Sequence, residues 1–185
     1  MIIYVYQESE ASAEPRKLTL PELPEIETIR RALSNRVSGR RITNIIVLRN
    51  EYVERGLSNI PHLIDCKYLS FERRGKFLAA HLNNDWAILY HLGMSGRLLL
   101  IPGDSPIALH THLRIQLDSG SWELRQWDPR RFGFAAFLRS DELQRFPPWA
   151  GLGIDAFEIT LSKFRSLLQG RKQPVKSFLL DQRRI

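Results

Sequence analysis

The sequence predicts an α+β fold: a β-sandwich flanked by one amphipathic helix and followed by further helices. Three observations carry this. One stretch near the start repeats apolar residues at helical spacing. Eight short β-like runs then follow, separated by turn residues. After Pro147-Pro148 the pattern becomes helical again.

The first helix is expected over residues 24–38. Pro24 opens it, where no N–H bond is needed, and Glu25 and Glu27 complement the helix dipole in the first turn. Ile26, Ile29, Leu33 and Val37 recur on one face, and Gly39 is the stop. Strands are expected over 42–48, 68–73, 77–82, 87–91, 97–101, 113–117, 122–126 and 134–138. Asn83-Asn84-Asp85, Ser119-Gly120 and Asp128-Pro129 punctuate them. Two more helices are expected over 161–168 and 175–181. The domain reading is therefore a poorly ordered extension over 1–20, a sandwich over 21–148, and the start of a helical domain over 149–185.

Composition narrows the function classes. The chain has 185 residues, 43% hydrophobic and 25% charged, as in an ordinary globular protein. Its apolar runs are too short to cross a bilayer, so no membrane partner is expected. Residues 1–20 lack the basic start and long apolar stretch of a secretory signal, and their acids do not suit a transit peptide. The single cysteine, Cys66, excludes an internal disulfide and a cysteine-based zinc site within these residues. Net charge is +7, and residues 163–185 hold seven Lys or Arg against one acid, which points to a polyanionic partner.

Five segments could carry chemistry. Pro21-Glu22-Leu23-Pro24-Glu25 sets a proline and two carboxylates at the mouth of a helix; capping explains Glu25 and Glu27, and explains Pro21 and Glu22 less well because they precede the helix. Arg73-Arg74-Gly75-Lys76 lies between two strands, where a basic tip either holds phosphate or protects a sheet edge. His91-Leu92-Gly93-Met94-Ser95-Gly96 has two glycines that imply a special backbone path. Met94 there is either an exposed wedge between bases or a core methionine in an irregular corner. His110-Thr111-His112 puts two imidazoles on one strand face, a phosphate contact or structural pair ahead of a metal pair, since no third ligand is near. Trp127-Asp128-Pro129-Arg130-Arg131-Phe132-Gly133 combines two arginines with an aromatic at a loop tip, a combination suited to nucleic acid.

Together these blocks resemble the formamidopyrimidine-DNA glycosylase family of bacterial-type base-excision repair enzymes. The matching pieces are Pro-Glu-Leu-Pro-Glu-Ile-Glu-Thr (21–28), Arg-Arg-Gly-Lys (73–76), His-Leu-Gly-Met-Ser-Gly (91–96), Asp-Pro-Arg-Arg-Phe-Gly (128–133) and Pro-Val-Lys-Ser-Phe-Leu-Leu-Asp-Gln (174–182). The last resembles the start of the family's helix–two-turn–helix region, so residues 149–185 would be an incomplete version of that domain. The Leu at position 23 is similar to this branch rather than to the related endonuclease VIII branch.

The resemblance implies roles. Pro21 would be the nucleophile that attacks the sugar C1′, expels the damaged base and forms a Schiff base, after which elimination cuts the strand. Glu22 would be the general acid/base, with Lys76 a catalytic phosphate contact. His91 and His110 would contact DNA. Met94, Arg130 and Phe132 would fill the hole left by the flipped lesion, Arg130 facing the orphaned cytosine, with Arg131 in support. The implied partner is double-stranded DNA containing oxidised purines (8-oxoguanine, formamidopyrimidines) or abasic sites, met by a monomer in the bacterial cytoplasm. No cofactor is expected in this chain: the family's four-cysteine zinc finger would lie beyond Ile185.

In the sequence as written, Pro21 is in amide linkage with Leu20, and an amide nitrogen cannot attack C1′. Lyase activity therefore requires a chain that begins at Pro21, by an alternative start at Leu20 or by processing. The competing readings are a non-catalytic damaged-DNA-binding fragment and a truncated product without function.

Overall fold

A computed structural model describes residues 21–184; the reading of 1–20 as an extension lies outside the described residues. Helix α1 (Leu23–Arg36) opens as the sequence implies. The Glu22 amide donates to the Glu25 carboxylate at 3.1 Å, closing the first turn. Ile26, Ile29 and Leu33 form its buried face, and Val37 is buried just beyond it. The helix ends before residue 38, because the chain turns at Gly39 (φ +85°) and the Gly39 amide donates to the Tyr68 carbonyl at 2.7 Å.

Nine strands follow: β1 (Ile42–Val47), β2 (Val53–Arg55), β3 (Tyr68–Arg74), β4 (Phe77–Leu82), β5 (Trp86–His91), β6 (Arg97–Pro102), β7 (Thr111–Leu117), β8 (Trp122–Trp127) and β9 (Phe134–Arg139). They make two sheets, ordered β1-β7-β8-β6 and β2-β9-β5-β4-β3. The eight expected strands are all present, with ends that differ by at most two residues. Strand β2 has no sequence counterpart: it is three residues long, too short to alternate, and pairs in parallel with β9.

The main core lies between the sheets and under α1, built from residues such as Ile42, Tyr68, Leu78, Ile88, Leu113, Leu124 and Phe137. A second cluster covers the outer face of the five-stranded sheet. There Phe77, Leu89 and Leu138 meet Leu143, Phe146 and Trp149 from two short helices, α2 (Ser140–Arg145) and α3 (Pro147–Ala150). Burial on both faces explains why β4, β5 and β9 read as continuous apolar runs. The sequence predicts no helix here, because Pro147-Pro148 looks like a breaker; the prolines instead occupy the first turn of α3. Helices α4 (Leu161–Leu168) and α5 (Val175–Leu179) follow, α5 ending two residues earlier than expected.

Strand register gathers the candidate segments. Arg74 pairs with Phe77, Phe77 with His91 and His91 with Phe134; in the other sheet, Trp127 pairs with both Arg97 and Thr111. The tips at 75–76, 92–96, 110 and 128–133 therefore emerge from one end of the sandwich.

Candidate active site and nucleic-acid interface

The mouth of α1 faces this end. Pro21 is buried beside a small cavity of about 30 Å³ that Gly96, Arg97 and Leu98 also line. Glu22 is exposed, and its Oε2 lies 2.6 Å from the Lys76 Nζ at the β3–β4 tip. Two segments more than fifty residues apart thus bring a carboxylate and an ammonium together beside Pro21. Gly75 makes the tip possible: its φ is +54°, and a Cβ there would sit 2.8 Å from the Gln182 Oε1. That same oxygen accepts from the Lys76 amide at 3.1 Å, joining the tip to the chain beyond α5.

Beneath the tip lies an ion cluster that the sequence did not disclose. The Arg73 guanidinium, 5% exposed, donates to Asp155 at 2.5 and 2.7 Å and to Glu27 at 3.1 Å. It ties α1, the β3–β4 hairpin and the segment leading to α4 into one clasp. Hydrogen bonding from Arg30, then Arg31 and Arg73, holds the Glu27 carboxyl down at about 2, against the opposing effect of burial. Burial alone would raise Asp155; Arg73 overrides it and holds that carboxyl below its ordinary value.

His91 is half-buried, its ring 4.6 Å from that of Phe77 and 5.3 Å from that of Phe134. Burial lowers its pKa, and the charge of Lys76 acts in the same direction; a backbone hydrogen bond at Phe132 and the charge of Asp128 oppose them. The net shift favours the neutral imidazole.

Met94, Arg130 and Phe132 are exposed, and Arg130 meets each of the other two. The Arg130 Nη2 lies 3.4 Å from the Met94 Sδ, and its guanidinium carbon 5.1 Å from the Phe132 ring centroid. Met94 is therefore a tip residue rather than a core one. Gly93 (φ +61°) lets its backbone press against Phe132 and Gly133, where a Cβ would come within 2.6 Å of backbone atoms. Arg131 is exposed at the turn, in the left-handed region at φ +58°.

Under these tips Asp128 is fully buried and collects donors from three segments. Its Oδ1 accepts from the Ser95 hydroxyl at 2.5 Å and the Arg130 amide at 3.2 Å. Its Oδ2 accepts from the Gly133 amide at 2.8 Å and the Tyr52 hydroxyl at 3.4 Å. Burial, and then the charge of Asp128, keep the Tyr52 hydroxyl protonated. In the sequence Asp128 reads as a turn residue, an aspartate before a proline, and nothing local marks Ser95 or Tyr52 as its partners.

The two histidines near position 111 do not share a strand face, contrary to expectation. His110 precedes β7, is exposed, and has a left-handed φ of +71°, which takes it out of the strand's alternation. Its carbonyl accepts from the Asp128 amide at 3.0 Å. His112 is buried, and its Nε2 donates to the Asp128 carbonyl at 2.7 Å, an acceptor that requires the proton on that nitrogen. Among the described residues no group of three or more His, Cys, Asp or Glu could hold a metal ion. Cys66 is buried with its thiol on the His62 and Ile64 carbonyls. One thiol cannot supply the four sulfurs of a four-cysteine zinc site.

Residues 20–135 match the formamidopyrimidine-DNA glycosylase N-terminal domain. The chain is 39% identical over 168 residues to the formamidopyrimidine-DNA glycosylase of Stenotrophomonas maltophilia (strain K279a), covering 88% of this chain and 60% of the relative. It is 36% identical over 169 residues to that of Bacillus cereus (strain ATCC 10987), covering 89% and 60%. Among solved structures, the wild-type Lactococcus lactis Fpg (MutM) bound to DNA containing N7-benzyl-Fapy-dG superposes with a TM-score of 0.79 at 28% identity, covering 88% of this chain and 61% of that one. The same enzyme bound non-covalently to DNA containing an AP site gives 0.78. The chain spans about 60% of the length of the curated relatives it matches.

Proposed function

Because this chain belongs to the formamidopyrimidine-DNA glycosylase family, we propose that it carries the base-removing and strand-cleaving site of a base-excision repair glycosylase. The observation that carries this reading is the 2.6 Å pair of Lys76 and Glu22 beside Pro21. With a free secondary amine, Pro21 attacks C1′ of the damaged nucleotide, and the C1′–base bond breaks, the base leaving with the proton that the Pro21 nitrogen gives up. Glu22 delivers a proton to the ring oxygen as the sugar opens, leaving an iminium between Pro21 and C1′. Loss of the C2′ proton then expels the 3′ phosphate, and hydrolysis of the iminium frees the enzyme. Lys76, His91 and His110 hold phosphates, while Met94, Arg130 and Phe132 occupy the space left in the stack, with Arg131 in support.

The substrate we infer is duplex DNA with an oxidised purine or an abasic site; the Lactococcus lactis enzyme is bound to DNA containing N7-benzyl-Fapy-dG in one solved complex and to DNA containing an AP site in another. The setting is the bacterial cytoplasm, with a monomer acting on each site and no metal held by these residues. The net charge of +7 supports a polyanionic partner. No helix among the described residues is long and apolar enough to cross a membrane.

The nitrogen of Pro21 must be freed from its amide with Leu20 for this chemistry. The test compares chains beginning at Pro21 and at Met1, each incubated with an abasic duplex and cyanoborohydride. A covalent adduct from the Pro21 form alone is expected. The enzyme reading fails if the Pro21 form gives none. Lesion-selective binding by both forms without an adduct would instead favour a non-catalytic damaged-DNA binder, a reading that the Leu20–Pro21 amide supports for the longer chain.

A further inference from the structure

We propose that Asp128 is a positioning residue that couples the Met94 tip and the Arg130–Phe132 tip into one rigid probe. The inference rests on the DNA reading above for what the probe enters, but the coupling itself is a property of the free protein.

A carboxylate offers about four lone-pair sites, and burying it is costly unless they are filled. Asp128 fills them with donors from Ser95 on the Met94 loop, the Arg130 and Gly133 amides on the arginine loop, and Tyr52. Ser95 also accepts from the Arg130 amide at 3.3 Å, so the two loops share a direct bridge as well as a common acceptor. The tips are too exposed to be held by burial. Their mutual contacts, Arg130 on Met94 and over Phe132, need both backbones to be fixed from below. An insertion element must keep its shape while it unstacks bases, and ordering two loose loops at that moment would weaken binding.

The alternative is that Asp128 only holds the fold together. The two differ in whether its effect travels through the tips. Asp128→Asn keeps the side-chain shape but turns one acceptor into a donor that faces donors. The experiment uses the full chain with a duplex bearing a tetrahydrofuran abasic analogue opposite cytosine, which cannot react with any amine, and the matching undamaged duplex. Asp128→Asn is measured alone and in a Met94→Ala/Phe132→Ala background, and amide exchange at Arg130 and Gly133 is read without DNA.

The expected result is about tenfold loss of lesion preference, the scale of hydrogen bonds to a charged group, with affinity for undamaged duplex unchanged. Exchange at both amides should rise by about tenfold or more. In the background without tips, Asp128→Asn should cost less than about twofold further, because coupled residues are non-additive. An equal tenfold cost in that background would overturn the proposal, as would unchanged exchange at the two amides. If Asp128→Asn fails to fold, Ser95→Ala, which takes the hydroxyl away from both the Asp128 carboxylate and the Arg130 amide but leaves the other Asp128 donors in place, carries the same comparison. A wild-type chain with no lesion preference would refute the DNA reading, and the exchange data would then decide the coupling alone.

Discussion

Replacing Arg73 by methionine should be among the changes most damaging to stability. The guanidinium is 5% exposed, and its partners Asp155 and Glu27 are 7% and 13% exposed. Glu27 keeps Arg30 and Arg31 when Arg73 is gone. Its carboxyl lies at about 2 against an ordinary 4.5, a difference of about 3 kcal/mol shared among three arginines, so about 1 kcal/mol leaves with Arg73. Asp155 fares worse. It retains the Phe157 amide at 3.0 Å and a long contact to Gly75 at 3.4 Å, but loses both guanidinium bonds. A buried charge stripped of its partner costs about 3–5 kcal/mol, and roughly 10 °C in Tm for a chain of this size. Chemical and thermal unfolding at pH 7 measure this. The double variant Arg73→Met/Asp155→Leu should recover at least half of the loss, because the unpaired carboxylate is gone. Both Glu27 and Asp155 have folded pKa values below their unfolded ones. Their contribution is complete above about pH 5 and is lost as pH falls towards 2. Arg73→Met should flatten that acid limb. A single variant costing under about 1 kcal/mol, or a double variant no better than the single, would refute the clasp.

Three further outcomes follow from the same geometry. Lys76→Met should weaken duplex binding and reduce the slope of log affinity against log salt by about 1, since one phosphate contact is removed; an unchanged slope would exclude Lys76 from the backbone interface. Trp149→Ala should cost about 3–5 kcal/mol in urea unfolding, because the side chain is fully buried against the outer face of the five-stranded sheet. His91 has its pKa lowered in the fold, so the unfolded chain binds its proton first, and stability should fall as pH drops below about 6.5. His91→Gln should remove that component, and an unaltered pH profile between 7 and 5 would contradict the assignment.

Much of the fold was legible because local pattern encodes local structure. The spacing of Ile26, Ile29 and Leu33 announces a buried helix face, and the apolar runs of β4 and β5 announce strands covered on both sides. What covers the outer side was not legible. Helices α2 and α3 are too short for a period to emerge, and Pro147-Pro148 reads as an interruption when it is a helix start. The exposed tips Met94, Arg130 and Phe132 stood out, since large apolar and charged groups beside glycine in a turn have no packing reason to be there. Their support did not. Asp128 looks like any turn aspartate, and Asp155 like any linker acid.

Neighbouring residues are enough to write α1, eight of the nine described strands, the basic and aromatic tips, and the proline–glutamate pair at the mouth of α1. Who meets whom is settled only in three dimensions. Strand register places His91 opposite Phe77 and Phe134; Lys76 reaches Glu22; Arg73 reaches Asp155 across 82 positions; Tyr52 reaches Asp128 across 76. A side chain's period along the chain reports which face it will take. Its partner is chosen only when the sheets close and every buried charge must find a donor.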